Sequence, residues 1–223
     1  SEMCIRDSLT LSRMVHFTLF GIPVYIRPSF WVVLAIFGGA LSISSVEDLI
    51  YPALFVIAGF VAILSHEMGH ALVGRKLGGG QQTIVLELFG GLTSSHGMQL
   101  TRGGRALMIL AGPMMTLLLG IISLGLTWNI VAPVMTSYNL NFWDLAISPF
   151  TAALISPKLY ILSCLIMIGE WWTILNLLPI YPLDGGQLIA QYIRSPRKVF
   201  MTGFITAILI GLLSFQLFHG YFI

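Results

Sequence analysis

Long apolar segments separated by short polar turns constrain the fold of this chain more than any other feature. Hydrophobic residues make up 57% of its 223 residues and charged residues only 9%. That is too little charge to cover the surface of a water-soluble domain. The sequence therefore predicts an all-α polytopic membrane protein with about five transmembrane helices of roughly 20 residues each. The expected spans cover residues 29–45, which is short, 51–77, 105–131, 159–178 and 199–218.

A segment after the second apolar stretch has the composition of β-structure. Residues 83–89 are rich in strand-forming side chains, and Gly90-Gly91 suggests a tight turn into a second strand over residues 92–96. We therefore expect a small membrane-associated β-hairpin after the second helix. Two short helices are also expected, over residues 142–153 and 186–194.

The first thirteen residues differ in character from the rest of the chain. They are polar and resemble translated adapter sequence, so we interpret residues 1–13 as a non-native tail, the alternative being an ordinary polar terminus. Residues 14–223 are expected to form a single membrane-embedded domain that begins at Met14. Cys4 and Cys164 give no disulfide framework and are not expected to pair.

The placement of lysine and arginine predicts the orientation in the membrane. With the N terminus in the cytoplasm, Lys158 is the one basic residue outside, and acidic Glu47 and Asp48 lie in the first outer turn. Such a bias is typical of the positive-inside rule. The basic residues then expected on the cytoplasmic side are Arg6, Arg13, Arg27, Arg75, Lys76, Arg102, Arg105, Arg194, Arg197 and Lys198.

The second apolar stretch carries the motif H-E-x-x-H as His66-Glu67-Met68-Gly69-His70. On a helix, His66 and His70 share a face and can bind one zinc ion, with Glu67 beside it as general base. Ionisable side chains inside a membrane helix are energetically costly and usually functional. The motif lies about 22 Å along its helix from Tyr51, so we expect the site to open toward the cytoplasmic side.

A third ligand is expected from the far end of the fourth span. Catalytic zinc usually has three protein ligands and a water. Asp184 follows Pro179 and Pro182, which interrupt the helix, and irregular backbone at membrane depth is tolerated against protein or a wet cavity. Eight residues before it, Asn176 could donate a hydrogen bond to an oxyanion.

These two elements resemble the site-2 protease family of intramembrane zinc metalloproteases. That family pairs an H-E-x-x-H helix with a distant N-x-x-P-x-x-x-L-D-G element, and both are complete here. The similarity also includes Phe89-Gly-Gly91 and Ala111-Gly-Pro113. It implies that His66, His70 and Asp184 bind one zinc ion per chain, that Glu67 is the catalytic acid and base, and that Asn176 supports the transition state. The chain resembles a minimal member without a PDZ insertion or a nucleotide-sensing domain.

The resemblance implies an activity and partners. The expected reaction is hydrolysis of peptide bonds in or near transmembrane segments of membrane-anchored substrates, as in regulated intramembrane proteolysis. Single-span proteins or signal peptides would be the substrates, in a bacterial or archaeal cell membrane, with no nucleic acid involved and any regulatory membrane partner unknown. The alternatives are a catalytically inactive scaffold that keeps the fold and a transporter-like protein, since broken helices also build transport sites.

Several neighbouring features have more than one interpretation. Ala111-Gly-Pro113 is either part of the site or a small-residue helix contact with a kink. Thr116 departs from the asparagine that the family often has there, and we assign it no catalytic role. Glu170, in the fourth span, lines a water path or, as we favour, bonds to a neighbouring helix. The strand at residues 83–89 either pairs through its edge with a substrate segment or plugs a cavity.

Overall fold

A bundle of apolar helices and a small β-sheet make up the protein. The computed structural model describes residues 14–88, 90–97, 99–138, 148–193 and 195–220. The strands are β1 (Val15–Leu19), β2 (Ile22–Ile26), β3 (Gln81–Glu87) and β4 (Gly90–His96). The helices are α1 (Pro28–Phe37), α2 (Ile50–Gly78), α3 (Arg102–Tyr138), α4 (Pro149–Ala153), α5 (Pro157–Leu177), α6 (Asp184–Ala190) and α7 (Pro196–Gly220), with short 3-10 turns at Ala40–Ser42 and Glu47–Leu49.

Three helices are long and apolar enough to cross a membrane, among the residues that the structure describes. The three candidate spans are Glu47–Gly78, Arg102–Ile130 and Pro157–Leu177. They correspond to α2 with the turn before it, to most of α3 and to α5. These three helices pack against one another and form the centre of the bundle. The second, third and fourth predicted spans are therefore helical and of sufficient length.

The first predicted span is not a full-length span. In place of a continuous helix over residues 29–45, α1 ends at Phe37 after 10 residues, which is about half the length needed. Gly39 then adopts a left-handed conformation with φ of 87°, which favours glycine and ends the helix. The last predicted span forms α7, whose side chains beyond residue 212 lie outside the described part. The count of five spans stays a prediction.

The sheet has four strands in the order β1-β2-β3-β4. The neighbouring pairs β1–β2 and β3–β4 are antiparallel hairpins, whereas β2 and β3 are parallel. A parallel pair needs a long crossover, and here α1 and α2 supply it. The sheet thus connects the segment before α1 with the segment after the helix that carries H-E-x-x-H.

The core between sheet and helices explains this arrangement. Alternate residues of β2 are buried, and so are Ile84 and Leu86 on β3. Because side chains alternate across a strand, both strands present one apolar face. That face packs on α1 and α2, where Phe30 and Met68 are buried in the same cluster. This packing holds the sheet against α2, the helix that carries H-E-x-x-H.

Three expectations about this region need correction. The fold is mostly helical, as predicted, but its small sheet has four strands, because β1 and β2 add a second hairpin to the expected one. The turn of the β3–β4 hairpin lies before Gly90-Gly91, and both glycines belong to β4. The strand expected to offer its edge, residues 83–89, lies inside the sheet: β3 pairs with β4 along its length and with β2 at residues 84–86, and β4 lies at the edge.

Some predictions concern residues that the structure does not describe. Residues 1–13 and 139–147 lie outside it, as do Phe89, Met98, Arg194 and residues 221–223. The interpretation of residues 1–13 as a non-native tail therefore stays a prediction, as does the single domain over residues 14–223. Of the short helix expected over residues 142–153, the described part contains α4, whose first turn is capped by the Ser148 hydroxyl.

Candidate metal centre

Three side chains from two distant helices meet in the interior of the bundle. His66 and His70 lie on α2, one turn apart, and Asp184 is the first residue of α6. The two Nε2 atoms are 3.1 Å apart, and Oδ2 of Asp184 lies 3.0 Å from that of His66 and 3.3 Å from that of His70. All three residues are buried. Three potential ligand atoms therefore converge on one point away from bulk solvent.

A hydrogen bond orients the second histidine. Nδ1 of His70 donates to the backbone carbonyl oxygen of Met108 on α3, at 2.8 Å. With the hydrogen on Nδ1, the lone pair of the neutral ring is on Nε2, which faces His66 and Asp184. Such bonds are the usual way in which a protein fixes the tautomer of a metal-binding histidine.

Asp184 reaches the site because the chain folds back tightly after α5. A Cβ at Gly185 would collide with the carbonyl oxygen of Leu177, and one at Gly186 would collide with the backbone of Ile180. The two glycines therefore allow the close backbone packing of this turn. The helix that follows begins at Asp184 itself, two residues earlier than predicted.

Glu67 lies beside the ligands and is held by the sheet. Its side chain is 5% exposed, and its Oε2 accepts a hydrogen bond of 2.8 Å from the Thr93 hydroxyl on β4. Gly91, two residues before Thr93, lies so close that a Cβ there would overlap the Glu67 side chain. Thr93 is not among the site residues predicted from the sequence, although its position two residues after Gly91 places both on one face of a strand.

Ala111-Gly-Pro113 on α3 forms one wall of the site, beside the two histidines. A Cβ on Gly112 would overlap Nε2 of His70 and would lie 2.9 Å from Nε2 of His66. On α2, directly before His70, a Cβ on Gly69 would overlap the carbonyl oxygen of Ala111. The close approach of α2 and α3 thus requires glycine on both helices. This contact favours the interpretation of the tripeptide as part of the site.

Thr116 ties α3 to α5 just behind this wall. Its hydroxyl lies 2.9 Å from that of Thr173 on α5, and both hydroxyls are within hydrogen-bond distance of the Pro113 carbonyl oxygen, at 3.0 and 3.3 Å. Since each hydroxyl has one hydrogen, one of them donates to the carbonyl oxygen while the other donates to its neighbour. The Thr116 side chain is completely buried. The contacts of this hydroxyl pair are therefore with the frame of α3 and α5, and no catalytic role is assigned to Thr116.

The remaining candidates, Asn176 and Glu170, lie on α5. The amide nitrogen of Asn176 donates to the carbonyl oxygen of Trp172, 2.9 Å away, and its catalytic role stays a prediction. The Trp172 ring stands edge-on to His66, with centroids 6.4 Å apart. Glu170 is exposed on the surface of the helix. Among the described residues it forms no hydrogen bond to a neighbouring helix, contrary to the interpretation that we favoured.

The donor atoms fit a zinc ion. Two imidazoles and a carboxylate are a usual ligand set of catalytic zinc, with bond lengths of about 2.0–2.1 Å. Two ligands at tetrahedral angles on such bonds would be about 3.3 Å apart, close to the 3.0–3.3 Å separations found here. Oδ2 of Asp184 accepts no well-aligned hydrogen bond from any described residue, so its lone pairs are available for an ion.

The chain is similar to known metalloproteases over most of its length. The sequence model of peptidase family M50 matches residues 54–218. A zinc metalloprotease from Methanocaldococcus jannaschii is 28% identical over 212 residues, which is 90% of this chain and 54% of that protein. A relative from Synechocystis sp. is 28% identical over 188 residues, or 79% of this chain and 43% of its own length. The chain thus spans about half the length of the curated relatives it matches.

A solved structure has the same fold. The site-2 protease from Methanocaldococcus jannaschii superposes with a TM-score of 0.57 and 24% sequence identity. The superposition covers 92% of this chain and 88% of the other. At that level of identity the likeness concerns the arrangement of helices and strands.

Proposed function

We propose that this chain, which belongs to peptidase family M50, is an intramembrane zinc endopeptidase that cleaves membrane-anchored proteins in or near their transmembrane segments. The family match and the similar proteins confirm the resemblance to site-2 proteases that the two motifs indicated. The observation that carries the proposal is the buried group of His66, His70 and Asp184 with Glu67 beside it. A zinc ion bound there would polarise the scissile carbonyl and activate a water.

The protein's own residues supply the rest of the chemistry. Glu67 takes a proton from the attacking water and gives it to the leaving amine. Asn176, near the end of α5, donates an amide hydrogen to the oxygen that becomes negatively charged. For this the amide exchanges its hydrogen bond with Trp172 for one with the substrate. Burial of the site strengthens each of these interactions, because the surrounding dielectric is low.

The proposed substrates fit the surroundings of the site. An apolar groove of about 410 Å³ lies between α1 and α5 and extends to Gly90 at the start of β4. A transmembrane segment of a single-span protein or a signal peptide could lie in such a groove. To reach the ligands it must unwind, since a helix keeps its peptide bonds in internal hydrogen bonds. An unwound segment could pair with the free edge of β4.

The proposed orientation is based on the positive-inside bias. The N terminus and the ends of α2 and α5 nearest the site face the cytoplasm in this arrangement. The motif histidines lie in the second half of α2, whose last turn carries Arg75 and Lys76. Water and the third ligand then reach the site from the cytoplasmic side. A bacterial or archaeal cell membrane is the proposed location.

The decisive experiment compares wild type with Glu67→Gln in purified, detergent-solubilised form. Both proteins are expected to hold about one zinc ion, because Glu67 is not one of the proposed ligands. Wild type is expected to cleave a reconstituted single-span substrate, and Glu67→Gln is expected to lose at least about 100-fold in rate. Glu87→Gln is the matched control, since Glu87 lies on β3 and pairs with Arg27, 3.1 Å away.

The same experiment separates the alternatives. A scaffold that only keeps the fold predicts zinc without cleavage in wild type as well. A transporter-like protein predicts no peptide hydrolysis that depends on Glu67. Equal rates of cleavage by wild type and Glu67→Gln would show that Glu67 takes no part in the reaction.

A further inference from the structure

We propose that Thr93 is a positioning residue that holds the carboxylate of Glu67 in the orientation needed for proton transfer. This inference rests on the proposed function of the site. The Thr93 hydroxyl lies 2.8 Å from Oε2 of Glu67 and 3.1 Å from the backbone carbonyl oxygen of the same residue. One hydroxyl on β4 thus contacts both the side chain and the backbone of Glu67.

The strand brings this hydroxyl to the glutamate through a second contact. Gly91 lies on the same face of β4 as Thr93, since residues two apart point to the same side of a strand. Its backbone approaches Glu67 so closely that a Cβ would overlap Cγ and Cδ of the glutamate. The side chain of Glu67 is therefore confined by backbone on one side and bonded to a hydroxyl further along the strand.

The bond assigns different tasks to the two carboxylate oxygens. Oε2 is occupied by Thr93, whereas no described residue donates a hydrogen bond to Oε1. In the proposed arrangement Oε1 is left to accept the proton of the attacking water. A free glutamate side chain has three rotatable bonds and loses considerable rotamer entropy when it is ordered. Thr93 orders it before substrate arrives, which is how pre-organisation increases the rate of a reaction.

A purely structural role for Thr93 makes different predictions. If the hydroxyl only attached β4 to α2, its loss would loosen the metal site, lower zinc content and weaken substrate binding. A positioning role acts on kcat, because the misplaced group is needed in the transition state. It also depends on Glu67, so that the effect of losing the hydroxyl disappears when the carboxylate is already absent.

The experiment uses Thr93→Val, which keeps the shape of the side chain and removes the hydroxyl. We expect unchanged zinc content, a KM within about twofold of wild type and a kcat lower by about 10-fold to 100-fold. Thr93→Ser restores the hydroxyl and is expected to recover most of the rate. Thr83→Val is the matched control, because Thr83 lies on β3 opposite Ser94. In the Glu67→Gln background, Thr93→Val is expected to cause no further loss.

A second measurement tests the contact without catalysis. In the zinc-free protein, thermal unfolding of Thr93→Val, Glu67→Ala and the double variant forms a mutant cycle. If the two residues bond, the losses in Tm are less than additive, and additive losses overturn the inference. A wild-type rate for Thr93→Val, loss of zinc, or an equal effect of Thr83→Val overturns it as well. If wild type cleaves nothing, the proposed function fails, and the cycle alone decides on the contact.

Discussion

The backbone of Gly112 on α3 lies against the ring of His70 on α2, so closely that no β-carbon fits between them. The same two helices are also joined by a hydrogen bond. One turn before Gly112 on α3, the backbone carbonyl oxygen of Met108 accepts it from Nδ1, on the other side of the His70 ring. α3 therefore determines both the tautomer of the second histidine and its distance from the helix backbone. A single helix thus shapes a site to which it contributes no proposed ligand.

Gly112→Ala is expected to abolish tight zinc binding. The new methyl group would overlap Nε2 of His70, which is a proposed ligand atom, and would also press on His66. The change to measure is the zinc content of the purified protein by elemental analysis. Gly120→Ala on the same helix is the control, since its Cβ would be 4.0 Å from its nearest neighbour. Full zinc content in Gly112→Ala would contradict the location of the ion.

Asp184→Ala is expected to lower zinc affinity by at least about 100-fold, because it removes one of three protein ligands. The affinity is measured by competition with a chelator of known strength. Asp48→Ala is a matched control in the turn before α2, where the carboxylate accepts a 2.9 Å hydrogen bond from the Ser45 backbone. Unchanged affinity in Asp184→Ala would mean that the two motifs do not share one ion.

Gly91→Ala is expected to inactivate the protein while its zinc content stays normal. The added Cβ would overlap the side chain of Glu67 and push the carboxylate out of place, but would leave the ligand atoms of α2 untouched. Zinc content and the rate of cleavage are measured on the same sample. Gly103→Ala, where a Cβ meets no atom within 4 Å, should behave as wild type. Loss of zinc in Gly91→Ala would count against this separation of roles.

Thr116→Val is expected to destabilise the protein by about 0.5–1.5 kcal/mol, the usual net contribution of one hydrogen bond, because the Thr173 hydroxyl keeps its contact with the Pro113 carbonyl oxygen. It breaks the 2.9 Å bond to Thr173 between α3 and α5. Because each single variant leaves the other hydroxyl behind, Thr116→Val with Thr173→Val should cost less than the sum of the two. Thermal unfolding in detergent provides the measurement. Thr202→Val, whose hydroxyl bonds within α7 to Lys198, serves as control, and an additive double variant would exclude coupling.

Local patterns allowed part of this structure to be predicted. The spacing of His66 and His70 depends only on the helical repeat, and the strand formers around Ile84 define β3 without reference to the rest of the chain. The alternation of Ile22, Val24 and Ile26 would have revealed β2 in the same way. Its parallel pairing with β3 is not local, because it depends on the packing of two intervening helices.

The glycines and Thr93 show why the rest could not be predicted. Gly90 and Gly91 have the composition of a turn, yet they lie in a strand. Glycine is needed at both positions because Trp172 and Glu67 leave no room for side chains. This requirement for glycine comes from residues distant in sequence. The local pattern therefore does not distinguish a glycine pair in a turn from one in a strand. Thr93 is one hydroxyl among several on β4, and its contact with the carboxylate depends on the close approach that Gly91 permits.

The distribution of the proposed ligands along the chain has a consequence for biosynthesis. His66 and His70 are translated early, whereas Asp184 emerges only after α3 and α5 have been made. A nascent chain that has inserted α2 alone therefore carries two imidazoles and the glutamate but lacks the carboxylate that would complete the ion's ligand set. In this order of synthesis the three proposed ligands are all present only once Asp184 has been made, so the metal centre depends on the completed bundle and not on the motif helix alone.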